Sequence, residues 1–223
     1  MSPHGHIVPF WSAEEIEASL HATILHLQAG RVLAYPTETV YGFGGAVDQD
    51  AVERLVQLKR RPPAKPFLLL IAGSDMLARL DLRLSAQAAQ LAARHWPGPL
   101  TLVLQGGQRR VPTRLRGPEG GIAVRWTSHV GLQRLIRAYG DPITSTSANL
   151  PGVPPAMTST EIVEQWGDEV RRGIVRVLDG GRLTDSPPST VVDCTGRRLR
   201  VIRPGAIPAT VLRESVPDLI GDA

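Results

Sequence analysis

Two rhythms of apolar residues alternate along this chain: recurrence every three or four positions, and short runs that are apolar throughout or at every second position. Ile16, Leu20, Ile24 and Leu27 share one side of a first helix, entered through a capping box of Ser12 with Glu15 and left at Gly30. The stretch 31–35, apolar through Val32, Leu33 and Ala34, predicts a short buried strand that empties at Pro36. In "DAVERLVQLKRR", Val52, Leu55, Val56 and Leu58 lie on one face of a helix that Pro62 and Pro63 must stop. "FLLLIA", 67–72, has no polar alternation and predicts a strand buried on both faces. Ser74 and Ser85 are placed to cap two helices, the second ending before Pro97. Strands are predicted at 100–104 and 121–126, followed by a helix from Ser128 to Gly140 and a strand and loop in "DPITSTSAN". A helix near 159–166, capped by Thr158 with Glu161, precedes strands in "IVRVLD", "STVVDC" and "LRVIRP".

This alternation predicts an α/β fold: a twisted, mostly open sheet of about seven strands flanked by helices. The sheet should be mixed, because the late strands are separated by too little chain for helical crossovers. The segment 105–120, "QGGQRRVPTRLRGPEG", carries four arginines and four glycines without periodicity and is the expected mobile loop.

Composition adds limits. At 223 residues, 42% apolar and 21% charged, the chain reads as one soluble globular domain. It has no signal-peptide pattern and no apolar run of membrane-spanning length, so a cytoplasmic protein is expected. A single cysteine, Cys194, excludes an intrachain disulfide and a thiolate metal cluster. The net charge of +4 favours anionic partners such as nucleotides or RNA. Of the 25 basic residues only Lys59 and Lys65 are lysines, and both fall in "LKRRPPAKP".

Familiar catalytic arrangements are missing: no Walker-type loop, no G-x-G-x-x-G, no H-E-x-x-H and no G-x-S-x-G. His21 and His26 are five apart and share no helix face, so no metal site is expected from them. What remains is cations and hydroxyls at element ends. "YPTETVYGFGG", 35–45, follows a strand, where α/β sheets bind ligands; its glycines either relieve a long turn or admit close backbone approach. Lys59, Arg61 and Lys65 span a proline-stiffened turn suited to a polyphosphate, although cations at a helix C-terminus also answer the macrodipole. Arg125 ends the apolar strand "GIAVRW" and must either snorkel or pair with an anion. "STSAN" offers Ser145, Thr146, Ser147 and Asn149 as donors for phosphate, carboxylate or ribose, or as a helix cap.

In order, "YPTETVYGFGG", "KRRPPAKP", "WPGPLTLVL", "IAVRW", "STSANLPG", "DGG", "STVVDCTG" and "VIRPG" resemble the YrdC-like family of L-threonylcarbamoyladenylate synthases, strongest over 18–208. The resemblance implies a single YrdC-like domain over 1–223 with a concave basic pocket, like the short bacterial members. It implies a nucleotidyltransferase that joins L-threonine, bicarbonate and ATP, with Mg²⁺, into threonylcarbamoyladenylate and pyrophosphate for tRNA modification. The product would pass to the tRNA threonylcarbamoyl transferase machinery. By the same resemblance Lys59, Arg61, Lys65 and Arg203 meet ATP, with Lys59 and Arg61 catalytic. Ser147 and Asn149 bridge to threonine, and Thr39, Arg125, Ser147 and Ser189 line the threonine pocket, with Arg125 on its carboxylate.

Three positions depart from the family pattern. Lys65 stands where many relatives have Asn, the apolar run near Leu70 replaces a threonine-binding histidine, and Pro187 and Pro188 precede "STV". Two rival readings use the same residues. A module binding double-stranded RNA or tRNA weakly would explain the arginines but not the PTET hydroxyls. A paralogue adenylating another carbamate is the second; its carbamoyl-transfer relatives carry zinc-binding cysteines, against the lone Cys194.

Overall fold

The caps written in the sequence set the helix starts. The computed structural model describes residues 6–60 and 66–221. After β1 (Ile7–Pro9), α1 (Ala13–Gln28) begins at Ser12, whose side chain accepts from the Glu15 amide while Glu15 accepts from the Ser12 amide. Then come β2 (Val32–Tyr35), β3 (Gly42–Gly44) and α2 (Gln49–Lys59), which Asp48 caps and which ends at Arg60 in a left-handed conformation. Next are β4 (Leu68–Ile71), α3 (Asp75–Arg79), β5 (Leu82–Arg83) and α4 (Ala86–His95). Ser85 caps α4 through its side chain, whereas Ser74 makes no such bond at α3.

The chain continues with β6 (Leu100–Gly106), β7 (Ile122–Trp126), α5 (Val130–Tyr139) and β8 (Ile143–Ser147). His129, not Ser128, caps α5 by accepting from the Leu132 amide. Last are α6 (Ser159–Arg171), β9 (Val175–Asp179), β10 (Thr190–Asp193), β11 (Arg200–Arg203) and α7 (Ala209–Arg213). Among the described residues no helix is long and apolar enough to cross a membrane.

The sheet is mixed, as expected, with the order β1-β9-β2-β3-β8-β4-β7-β6-β10-β11, and β5 pairs with β6 off this path. β10 and β11 pair antiparallel, so the short late connections do exclude a crossover. The strand count differs from the expected seven or so: among the described residues the sheet has eleven strands. Three of them, β1, β3 and β5, lie outside the segments predicted as strands; they have three residues or fewer and show no measurable periodicity. β3 lies within the glycine stretch itself. Gly44 carries no β-carbon because one would sit 1.8 Å from the Thr144 carbonyl oxygen of the neighbouring strand. These glycines therefore serve close strand packing rather than a long turn.

Side-chain alternation gives the sheet two unlike faces. Leu100, Leu102 and Leu104 of β6, Ile122 and Val124 of β7, and Val192 of β10 point into the hydrophobic core. Their neighbours of opposite parity, Thr101, Val103, Ala123, Arg125, Val191 and Asp193, line a cavity on the other face. The segment 105–120 borders this cavity through Gly117, Pro118 and Glu119. It is not a plain loop: Val111 and Leu115 are buried, and a 3-10 turn covers Thr113–Leu115.

Candidate active site

The cavity measures about 860 Å³, within the roughly 300–1,000 Å³ typical of small-molecule sites. It lies across β3, β4, β8, β7, β6, β10 and β11 and is rimmed by the segments that follow β2, follow β8 and precede β10. Three groups of polar side chains define it.

The first centres on Arg125 at the end of β7, 5% exposed and lining the cavity. Its Nη2 lies 2.7 Å from Glu38 Oε1, and its Nε donates to the same oxygen at 3.2 Å. Nη1 and Nη2 also face Thr39 Oγ1, at the longer distances of 3.5 and 3.4 Å. The buried arginine has thus paired with an anion, and the anion belongs to the PTET motif. Glu38 is itself saturated: Oε2 accepts from the Thr127 hydroxyl at 2.7 Å, and Oε1 also accepts from the Ser128 amide at 3.1 Å. Burial alone would raise its carboxyl, but the Arg125 charge and the hydrogen bonds of Arg125 and Thr127 hold it below the ordinary carboxylate value. Thr37 folds the loop by donating to the Val40 carbonyl and accepting from the Thr39 and Val40 amides. Beside Arg125 in register stands Leu70 of β4, buried, while Leu68 of the same strand lines the cavity.

The second group joins the end of α2 to the segment after β8. Lys59 is 4% exposed, and its ammonium donates to the Ser147 carbonyl at 2.6 Å, to Asn149 Oδ1 at 2.7 Å and to the Asn149 carbonyl. Ser147 Oγ donates to Asn149 Oδ1 at 2.6 Å, and Asn149 Nδ2 donates to the Val153 carbonyl. Ser147 lines the cavity; Lys59 and Asn149 stand behind it. Arg61 and Lys65 lie outside the described residues.

The third group closes the far side. Ser189, 2% exposed, shares a hydrogen bond with Thr101 at 2.9 Å, and Arg203 donates through Nη2 to the Ser189 carbonyl at 2.8 Å and hydroxyl at 3.0 Å. Desolvation and the nearby Arg125 charge both lower the Arg203 pKa, and both guanidinium groups line the same cavity.

The sequence-derived residues thus fall together: Thr39, Arg125, Ser147, Ser189 and Arg203 line one cavity, with Lys59 and Asn149 directly behind it. Sequence reasoning missed Glu38, Thr101 and Thr127. Glu38 was findable, since a buried arginine needs an anion and the quoted motif holds one carboxylate. The described wall carries three basic residues, Arg125, Arg200 and Arg203, against the acidic Glu119, Asp185 and Asp193. The expected basic character thus has no majority among the described residues. No group of three His, Cys, Asp or Glu side chains among them is arranged to hold a metal ion.

Comparison with known proteins agrees with this architecture. A family model, Sua5_yciO_yrdC, described as telomere recombination, matches residues 26–205. A threonylcarbamoyl-AMP synthase of Vibrio parahaemolyticus is 38% identical over 182 residues, covering 80% of this chain and 95% of the relative. The Pyrococcus abyssi threonylcarbamoyl-AMP synthase is 34% identical over 197 residues; the match covers 88% of this chain and 55% of that longer protein. A structure of P. abyssi Sua5 complexed with L-threonine superimposes with a TM-score of 0.84 at 31% identity, over 96% of this chain and 62% of that one. A cavity framed by the PTET, STSAN and STV segments, on a sheet that superimposes on Sua5, therefore rests on common descent: the chain belongs to the Sua5/YciO/YrdC family.

Proposed function

We propose that the cavity is where this chain, a nucleotidyltransferase-type enzyme, makes threonylcarbamoyl-AMP for tRNA modification. L-threonine, bicarbonate and ATP are the substrates. The threonine amine takes up carbon dioxide derived from bicarbonate, and an oxygen of the resulting carbamate attacks the α-phosphorus of ATP. A new P–O bond forms, the bond to the β-phosphate breaks, and pyrophosphate leaves. Such a step needs positioning and charge neutralisation more than a general base, which suits a cavity whose described lining offers guanidinium groups and hydroxyls.

One observation carries the reading of the substrate end. The Nη1–Nη2 end of Arg125 is turned to a cavity hydroxyl at long distance, which suits two-point binding of a carboxylate beside Thr39. Threonine bound in a P. abyssi relative supports it. On this reading Thr39, Ser147 and Ser189 complete the amino-acid pocket. Lys59, Arg61, Lys65 and Arg203 serve the nucleotide, Lys59 by fastening the segment that carries Ser147 and Asn149. Mg²⁺ then enters with the triphosphate as part of the substrate, the usual way this cation is held beside phosphates. On this reading the reaction belongs to the cytoplasm, and the product passes to the transferase machinery that modifies tRNA.

The test is pyrophosphate release with each substrate withheld in turn. Release should require ATP, L-threonine and bicarbonate together; equal release without threonine overturns the reading.

A further inference from the structure

Glu38 is the one carboxylate of the loop between β2 and β3, and its neighbours Thr37 and Thr39 both line the cavity while it does not. Its side chain turns away, to the end of β7 and the start of α5, and there it meets four donors. Oε1 receives Arg125 Nε and Nη2 together with the Ser128 amide, and Oε2 receives the Thr127 hydroxyl. A carboxylate with both oxygens engaged in this way is poorly placed to take a proton from a substrate. It does something else to Arg125.

An arginine side chain has five N–H donors in a rigid plane. Glu38 occupies the side edge, made by Nε and one hydrogen of Nη2. The end edge, made by Nη1 and the other hydrogen of Nη2, is then obliged to point at Thr39 Oγ1 and the cavity, because the plane cannot bend. Rotation of the guanidinium would break the 2.7 Å contact to Glu38 in an environment where Arg125 is almost wholly buried. The carboxylate does more than orient: it also neutralises the arginine before any ligand arrives. Its charge by itself would repel a second carboxylate. A purely electrostatic role and a geometric role therefore predict opposite effects on amino-acid binding.

We propose that Glu38 is a positioning residue for recognition of the amino-acid carboxylate, holding the side edge of Arg125 so that its end edge is presented to the cavity beside Thr39. The inference rests on the reading of Arg125 as the carboxylate-binding group. It names the fixed element of amino-acid selection in this chain: a two-point donor whose direction is set by the loop that also supplies the Thr39 hydroxyl.

Three substitutions separate geometry from charge, read by pyrophosphate release with threonine and ATP varied independently. Glu38→Asp keeps the charge and loses one methylene of reach; it should raise the KM for threonine about tenfold, with the KM for ATP and kcat within about twofold. Glu38→Gln keeps an acceptor for Arg125 at full reach and removes the charge; it should raise the threonine KM less than threefold. Glu38→Ala should raise it tenfold or more in the wild-type background and leave it unchanged in an Arg125→Ala background, because its effect passes through Arg125. A threonine KM unaffected by Glu38→Asp, or an effect of Glu38→Ala that persists without Arg125, overturns the proposal. So does a uniform fall in kcat with both KM values unchanged, which is the mark of a merely structural residue. Arg125→Lys distinguishes this failure from that of the underlying reading: if it leaves the threonine KM untouched, Arg125 does not bind the carboxylate at all.

Discussion

Arg125 and Lys59 are both buried cations at the edge of one cavity, and they are used in opposite ways. Lys59 has three N–H donors, and three oxygens of the 147–149 segment receive it. Its charge is spent inward, on holding a loop. Arg125 has five donors; Glu38 takes one edge, and the other faces Thr39 across distances too long for strong bonds. Its charge is half committed, with the remaining edge turned to the cavity. The planar fork makes this division possible, because one edge can be anchored while the other keeps its direction. A lysine at 125 could not be fixed and presented at once, and an arginine at 59 would not fit three oxygens converging on a point.

The difference can be broken experimentally. The largest expected effect is at Lys59. Lys59→Ala removes three hydrogen bonds at about 1 kcal/mol each, although Ser147 Oγ still donates to Asn149 Oδ1 and the Asn149 amide to the Ser147 carbonyl, so urea denaturation should show a loss of roughly 3 kcal/mol together with weakened ATP dependence. An unchanged urea midpoint would mean that Lys59 is not the fastening of the 147–149 segment.

Acid separates the two cations from the scaffold beneath them. His26, at the end of α1, is buried with Nε2 against the Val32 carbonyl, and burial lowers its pKa to about 4. The unfolded chain protonates it near 6.5, so stability is complete above that pH and falls by up to about 3 kcal/mol as pH drops towards 4. Glu38, held below its ordinary value, stays charged through the same window and loses its contribution only as pH falls below the usual carboxylate range. Thermal melts between pH 7.5 and 4.5 should therefore decline, and His26→Gln should flatten the decline. A slope unchanged by that substitution would assign acid sensitivity elsewhere.

Arg125→Lys comes next. It keeps the charge and loses the fork, and kcat/KM for threonine should fall tenfold to a hundredfold, about 1.5–3 kcal/mol, while ATP affinity holds. Damage to ATP affinity with intact threonine dependence would reverse the two ends of the site. The smallest effect is expected away from both, at the exposed Arg109 and Arg110. With aromatic residues at 4% of the chain, RNA binding through this segment should be weak and fall steeply with salt. Tight binding at high salt, measured by filter retention, would contradict this.

Local chemistry was legible in the sequence. Ser12 with Glu15, Ser85 and Thr158 do cap helices, and Gly140 ends α5 in the left-handed conformation, because a cap involves residues three or four positions apart. The parity that puts Ala123 and Arg125 on one face and Ile122 and Val124 on the other is equally local. That Arg125 required an anion followed from burial; which anion did not, since Glu38 lies 87 positions away. Lys59 and Asn149 are 90 positions apart, and nothing near either indicates that one receives the other. The short strands were hidden for the same reason. β3, two of whose three residues are glycine, is a strand only because Tyr35 and Ser147 bracket Gly42 on neighbouring strands. Periodicity and caps are set by a residue's chain neighbours and can be read along the sequence. Pairing of strands, acceptors and charges is set by which distant segments the sheet brings within a few ångströms, and only the tertiary structure decides that.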